Sequence, residues 1–492
     1  MSEPKRQHIV AAITQLLQTI RQNWITILVL LFVGSGSDSM FGPLLIIGFA
    51  VLGLIGGFVS WWRFTYQVVE GELRINQGIF VRKNLYLSQD RIQVIDISAG
   101  IVQRMFGLVS IEVKTAGSTS KEAKIDAISR DEAERLKQSL RSNDSATGEE
   151  EVAELTPQKV YHLSYKELLI TASTSGNLGI ALSIVVGVFS QVDQIIDEER
   201  MIAFFESVMP ASVGFSLVLS TILFILIISW LLSFFGTLIK YYDFTLTVND
   251  EELHIKRGLF EQKQLTVPFN RIQAIQIKED LLRQPLGYAS VILESAGYGG
   301  EQQELNSTTL YPLLKRGEVG NFIQEVVPQY HISVQAKRPP KIAIRRYLLR
   351  MVWVSLLIIV PAWLFIPYGI YSLFLIIPAL VLGYGQYNDA KIGFSSDDAE
   401  TLLLQSRLLS RRTAIVKKYR VQSASTQQNP FQRRLNLVTY SLTVTSGSGG
   451  QTFTIRELTE TMGAQFLEWL SEAGTDNVQS EDIFSLSSDA TE

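Results

Sequence analysis

Cysteine is absent from all 492 residues, which removes disulfides, thiolate nucleophiles and cysteine-ligated metals and fits a reducing compartment. Histidine is almost as scarce. His8, His162, His254 and His331 are scattered and none stands in a metal-ligand spacing such as H-E-x-x-H, so no metal site is expected. The chain also lacks a phosphate-binding loop, a dinucleotide fingerprint and a nucleophile elbow, and Gly53 to Gly57 fall inside an apolar run. No cofactor and no enzymatic activity are expected on these grounds. A formal net charge of −4 argues against nucleic-acid binding. A cleavable signal peptide is not expected either, since Lys5 and Arg6 precede a mixed amphipathic stretch rather than a compact apolar core.

What the chain has in excess is localised apolar sequence, with 47% hydrophobic residues overall. A bilayer core needs about 20 predominantly apolar helical residues to cross it, because lipid offers no partner for exposed backbone groups. The run from Val213 to Ile239 meets this outright. The run from Tyr347 to Tyr384, broken by Pro361 and by Pro367-Tyr368-Gly369, reads as a helical hairpin. An earlier run divides at Gly34 to Asp38 into a weak helix around Asn23 and a firm one from Leu44 to Trp62, and Leu168 to Ser190 forms a further helix rich in Ser, Thr and Gly. Six spans in three hairpins result.

Loop charge sets orientation, because Lys and Arg collect on the cytoplasmic side. Ser35 to Phe41 has no basic residue, and Gln191 to Pro210 carries only Arg200 among Asp193, Asp197, Glu198, Glu199 and Glu206. The opposite side holds Lys5, Arg6, Arg21, Arg63, Lys166, Lys240 and the cluster Lys337, Arg338, Lys341, Arg345, Arg346 and Arg350. The soluble mass and both termini are therefore expected in the cytoplasm, below the cytoplasmic membrane. Trp61, Trp62, Tyr241, Tyr242, Tyr384 and Tyr387 mark the inner helix ends as interfacial aromatics do. Asp38, Arg21 and Asn177 are the polar groups nearest membrane depth, each close to a helix end.

An internal repeat organises the rest. RIQVIDISAGIVQRMFGLVSIEVKTAG from Arg91 aligns without a gap to RIQAIQIKEDLLRQPLGYASVILESAG from Arg271, and RVQSASTQQNPFQRRLNLVTYSLTVTSG from Arg420 is a third copy. Upstream, GELRINQGIF, EELHIKRGLF and ETLLLQSRLL keep the same distance, but Arg407 replaces Gly78 and Gly258, so the third turn must differ. Apolar residues two apart, such as Leu73 and Ile75 or Ile111 and Val113, predict half-buried strands. Ser129 with Glu132 forms a capping box that opens a closing helix, and Phe322, Ile323, Val326 and Phe466, Leu467, Leu470 mark its counterparts. The expected order is an N-terminal segment (1–22), hairpin 1 (23–63), module 1 (64–141), an acidic linker (142–166), hairpin 2 with its acidic outer loop (167–240), module 2 (241–330), a basic linker (331–346), hairpin 3 (347–385), module 3 (386–473) and an acidic tail (474–492).

The R-I-Q opening, the Q-R-x-F-G-L element at Gln103 to Leu108 and the T-A-G at Thr115 to Gly117 resemble the bacterial pleckstrin-homology-like (PH-like) domain. The alternation of hairpin and module is similar to that of the YdbT-like membrane protein family. The resemblance implies a membrane α + β protein in which each hairpin is followed by a partly open antiparallel barrel of about seven strands closed by a C-terminal helix. Copy three puts Asn436 at the position of Gly107 and Gly287.

Candidate contact residues are the repeated Arg91, Arg271 and Arg420 with Gln93, Gln273 and Gln422, and a second basic position at Arg104, Arg283 and Arg433. If Ile92 and Val94 point inward, Arg and Gln share the polar face. Such guanidinium groups suit lipid phosphate or a partner carboxylate. The structural alternative is a bond that fixes a strand entry. The basic cluster from Lys337 to Arg350 suits an anionic leaflet or serves as a topology signal. The expected function is a non-enzymatic scaffold whose three modules bind membrane lipids or proteins, including a smaller related membrane protein or a second copy of the chain. The resemblance adds envelope integrity or stress response. The alternative is a transporter or lipid-handling protein regulated by the modules.

Overall fold

The computed structural model describes residues 4–15, 41–69, 71–78, 81–89, 92–115, 123–140, 159–176, 178–189, 215–296, 307–330, 336–365, 369–395, 400–446 and 450–471. The weak first span around Asn23, the turn from Gly34 to Asp38, Arg21, Asn177, Arg91, the loop Gln191 to Pro210, most of the acidic linker and the tail from 474 lie outside the described residues.

Among the described residues, three helices are long and apolar enough to cross a membrane, at Ile222–Tyr241, Ala343–Leu364 and Gly369–Asp389. The expected second span lies in the helix Phe41–Arg63. Leu168 to Ser190 is not one continuous helix. Helices run over Tyr165–Ser173 and Leu178–Phe189. At the end of the first, the hydroxyls of Thr171, Ser173 and Thr174 donate to carbonyls one turn back, a contact that bends helices, and Gly176 follows. Pro361 does not break its helix, which continues to Phe365. The backbone N–H groups of the residues after Pro361 still find acceptors in the preceding turn, and residues 366–368 lie outside the described residues. The following half begins as a 3-10 segment, Gly369–Leu375, and becomes α-helical at Ile376–Asp389.

Nineteen strands form four antiparallel sheets among the described residues. Copy one supplies β1 (Thr65–Val69), β2 (Glu72–Gln77) and β3 (Lys83–Ser88), then β4 (Ile92–Ala99), β5 (Leu108–Thr115) and β6 (Ala123–Ser129), and closes with the helix Arg130–Ser139. Copy two supplies β7 (Lys159–His162), β8 (Thr245–Val248), β9 (Glu252–Arg257), β10 (Gln262–Pro268), β11 (Ile272–Glu279), β12 (Tyr288–Ser295) and β13 (Ser307–Lys315), then the helix Val319–Val326. Copy three supplies β14 (Lys391–Phe394), β15 (Thr401–Arg407), β16 (Arg411–Lys417), β17 (Val421–Gln427), β18 (Leu437–Val444) and β19 (Gln451–Thr459), closed by a helix over 460–471. The Ser129 hydroxyl accepts the Glu132 N–H at 3.3 Å and caps the first closing helix.

No closed barrel forms among the described strands, and here the structure departs from the expectation. The sheets run β1-β2-β3, β6-β5-β4-β10-β9-β8-β7, β13-β12-β11-β16-β15-β14 and β17-β18-β19, so neighbouring copies share sheets. The chain divides into two compact units, Met1–Val267 and Pro268–Glu492, and copy two contributes strands to both.

The segment before each hairpin returns to the module after it. Lys5 pairs with Tyr66, Tyr161 with Leu246 and Lys337 with Ile392, so part of the acidic linker is the strand β7. Two irregularities recur in all three copies, at Ile92/Val94, Ile272/Ala274 and Val421/Ser423, and again at Val109/Ile111, Ala289/Val291 and Val438/Tyr440. Conserved placement of bulges within one chain marks a single fold repeated. Inside copy one, Leu73, Ile75, Ile111, Val113 and Ile125 are fully buried, each contributing roughly 1.5–3 kcal/mol of apolar transfer.

Candidate functional site

The repeated feature with most polar chemistry is the junction where two copies meet. At the first, within unit 1, β4 pairs with β10 through Ala99–Gln262, Ser98–Lys263 and Ile97–Gln264. At the second, within unit 2, β11 pairs with β16 through Glu279–Arg411, Lys278–Arg412, Ile277–Thr413, Gln276–Ala414, Ile275–Ile415 and Ala274–Val416. Aligned on the repeated arginines, the three pairs of the first junction are the first three of the second. The register is therefore identical.

A one-turn helix precedes β5, β12 and β18, and at each junction the one before β5 or β12 receives the neighbour's hairpin tip. At the first junction Arg104 donates to the Leu259 carbonyl at 2.6 Å. Gln284 holds the aligned position at the second and donates to the Leu409 carbonyl at 3.5 Å. Arg283, which the sequence reading grouped with Arg104 and Arg433, instead occupies the position of Gln103 and Gln432. It is 4% exposed and donates to the Pro312 carbonyl at 2.9 Å. Gln103 accepts the Gly100 N–H and donates to Ser110, whose hydroxyl donates to Asp126. Gln432 accepts the Asn429 N–H and donates to Thr439. All three side chains thus tie the short helix to its own sheet. Arg433 is exposed, and its side chain makes no hydrogen bond or ion pair to a described residue.

Electrostatics differ between the junctions. At the first, an open cavity of about 210 Å³ is lined by Arg104, Arg130, Gln262, Gln264 and neighbouring apolar groups, with no carboxylate in its lining. At the second, Arg411 donates to both oxygens of buried Glu279 and approaches Asp389 at 3.4 Å, while Arg407 reaches Asp389 at 2.6 Å and also bonds Gln284. Burial lowers the Arg411 pKa, but its bonds with Glu279 and Asp389 outweigh this and hold it above the ordinary value. Removing one partner from such a cluster is costly, because a buried charge is left uncompensated. Asp389 ends the last membrane-type helix, and Gln386 one turn earlier donates to the Leu408 carbonyl and accepts from Arg350. The hairpin base is thereby bonded to the hairpin tip of β15 and β16.

A buried carboxylate completes this junction. Glu294 on β12 is 0% exposed, accepts from Gln276 at 2.5 Å and from Ser446 at 2.6 Å, and faces Arg412. Burial pushes its pKa up to about 7 despite those bonds.

The other candidates separate. Gln93 has a side chain outside the described residues, as has all of Arg91. Arg420 donates to the Asn270 carbonyl at 2.7 Å and stacks 4.8 Å from the Tyr419 ring, so the third repeated arginine reaches the residue beside the second. The Arg271 carbonyl accepts from Ala296 and from the Gln273 amide. Gln273 is buried and Gln422 exposed, so the repeated glutamine does not keep one environment across the copies, and a bulge falls at this point in each. In the basic cluster, Lys337, Arg338, Lys341 and Arg345 are exposed, whereas Arg346 is bound to Glu457 at 2.6 Å and Arg350 to Gln386. Of the interfacial aromatics, Trp61 donates to the Gln7 carbonyl and Tyr387 to that of Pro339, so these two also fasten protein segments.

The sequence reading missed Glu279, Asp389, Arg411 and Glu294. Their available signal was a charge or amide inside an otherwise apolar strand, as in IQIKE from Ile275 to Glu279 and SVILES from Ser290 to Ser295.

The bacterial PH domain family matches this chain three times, at residues 13–144, 200–326 and 349–474. A UPF0699 transmembrane protein of Bacillus subtilis, YdbT, is 36% identical over 96% of this chain and 99% of its own length. A second UPF0699 transmembrane protein from the same organism, YdbS, is 33% identical over 79 residues, which are 16% of this chain and 46% of that protein. No solved structure matches.

Proposed function

Because the chain belongs to the bacterial PH domain family, we propose that it is a non-enzymatic scaffold of the bacterial cytoplasmic membrane, with three PH-like modules and both termini held at the cytoplasmic face by six helices in three hairpins. The observation that carries the reading is the pair of junctions made in one register. A strand edge that binds a module of this family in a fixed register twice over is a recognition surface for such modules. Tethering then sets the modules at high effective concentration, so individually weak contacts suffice for firm assembly.

Lipid contact fits the same picture. Lys337, Arg338, Lys341 and Arg345 stand exposed around the start of the helix Ala343–Phe365, where each adds roughly 1 kcal/mol of attraction to an anionic leaflet. Envelope integrity or stress response is the process in which such a scaffold would act.

Purification of the tagged chain from native membranes tests this. The reading expects a reproducible protein partner, either carrying a related module or a second copy, at a fixed ratio. Recovery of the chain alone, together with solute or lipid transport in proteoliposomes, would contradict it.

A further inference from the structure

A chain that joins its copies head to tail leaves one unused half-junction at each end. In copy one, β3 aligns with β10 and β16, the strands that receive the preceding copy. Among the described residues β3 ends its sheet, and Tyr86 near its centre is 59% exposed. In copy three, β17 aligns with β4 and β11, the strands that offer the edge. β17 also ends its sheet among the described residues. β11, with a neighbour on each side, is buried at seven of eight positions, whereas no position of β17 is buried.

We propose that β17 of one chain pairs with β3 of a second copy of the same chain, continuing the junction between molecules. The inference rests on the scaffold reading and names its partner. Transferring the register of the second junction puts Gln427 opposite Lys83, Thr426 opposite Asn84, Ser425 opposite Leu85, Ala424 opposite Tyr86 and Ser423 opposite Leu87. Ile275 faces Ile415 where Ala424 would face Tyr86, so two medium side chains are exchanged for a small and a large one. Paired antiparallel strands satisfy each other's free N–H and C=O groups whatever the side chains, so an open edge is a template for this contact. Arg433 is placed to act there as Arg104 does at the first junction, and it is exposed and uncommitted among the described residues.

Composition fits a reversible contact. Gln422, Ser423, Ser425, Thr426 and Gln427 make β17 polar, and Lys83 and Asn84 do the same for β3, which keeps single chains from permanent edge aggregation. The pairing is heterologous, since β17 and β3 are different surfaces. It closes into rings or extends as chains in the membrane plane.

The native absence of cysteine makes the test direct. Two differently tagged full-length chains, one carrying Lys83→Cys and the other Gln427→Cys, are co-expressed and oxidised in inside-out vesicles. Residues directly opposite in an antiparallel pair have Cα atoms about 4.5–5.5 Å apart, within the range a disulfide bridges. The expected product is a disulfide-linked species bearing both tags. Its yield should fall several-fold when Asn84→Cys replaces Lys83→Cys, because a shift of one residue moves the side chain to the other face. Absence of a mixed-tag product, equal yields from both pairs, or a purely intrachain bridge in a chain carrying both cysteines would overturn the proposal. If a different partner still copurifies from native membranes, the scaffold reading survives that failure.

Discussion

At the scale of single residues, Glu294 is the group whose environment conflicts most with its chemistry. Its carboxyl titrates near 7 in the folded chain because Gln276 and Ser446 only partly replace lost water. A raised folded-state pKa means that the unfolded chain releases the proton first. The stabilisation is present below the ordinary value of 4.5 and is lost as pH rises through about 7. Glu294→Gln keeps the group neutral at every pH. Its thermal midpoint in detergent should therefore exceed that of the native chain at pH 8 and show no such advantage at pH 5. An equal difference at both pH values would show that packing, not charge, sets the effect. The only trace of Glu294 in the sequence was its place inside the apolar run SVILES, because its partners Gln276 and Ser446 come from elsewhere in the chain.

At the scale of elements, the glycines show what the repeat preserves. Gly107, Gly287 and Asn436 adopt the same left-handed turn, with φ of 67°, 71° and 51°. Asn is among the few residues that visit this region readily, so the replacement leaves the turn intact. Gly258 is a stricter case: its φ is 113° and an added Cβ would lie 2.1 Å from the Glu261 carbonyl oxygen. Copy three avoids that conflict by running β15 through Arg407 and turning later, as the missing glycine implied. Gly287→Asn should cost less than about 1 kcal/mol and Gly258→Asn about 1–3 kcal/mol or more. Denaturant or thermal unfolding of the two variants checks the ranking, and equal losses would contradict it. The strands and closing helices were legible because alternation and capping are local. The junctions were not, because a strand's pattern shows which face is buried but not which neighbour lies along its edge. The break near Thr174 depends on whether hydroxyls bond back to the helix, which composition leaves open.

At the scale of the molecule, the three apolar helices among the described residues and the family match agree with a membrane chain built of repeated modules. The hairpin base at Asp389 and Gln386 is bonded to the second junction, so membrane anchorage and module pairing are parts of one structure in unit 2. The scaffold reading proposes that all three modules lie on the same side of the bilayer. Cysteine labelling tests this most directly. Single variants Glu134→Cys, Glu318→Cys and Glu468→Cys place one thiol on an exposed position of each copy, and Asp197→Cys places one in the acidic connection. An impermeant maleimide applied to intact cells should label the last variant alone and reach the other three only after permeabilisation. Labelling of any one of those three in intact cells would contradict the account.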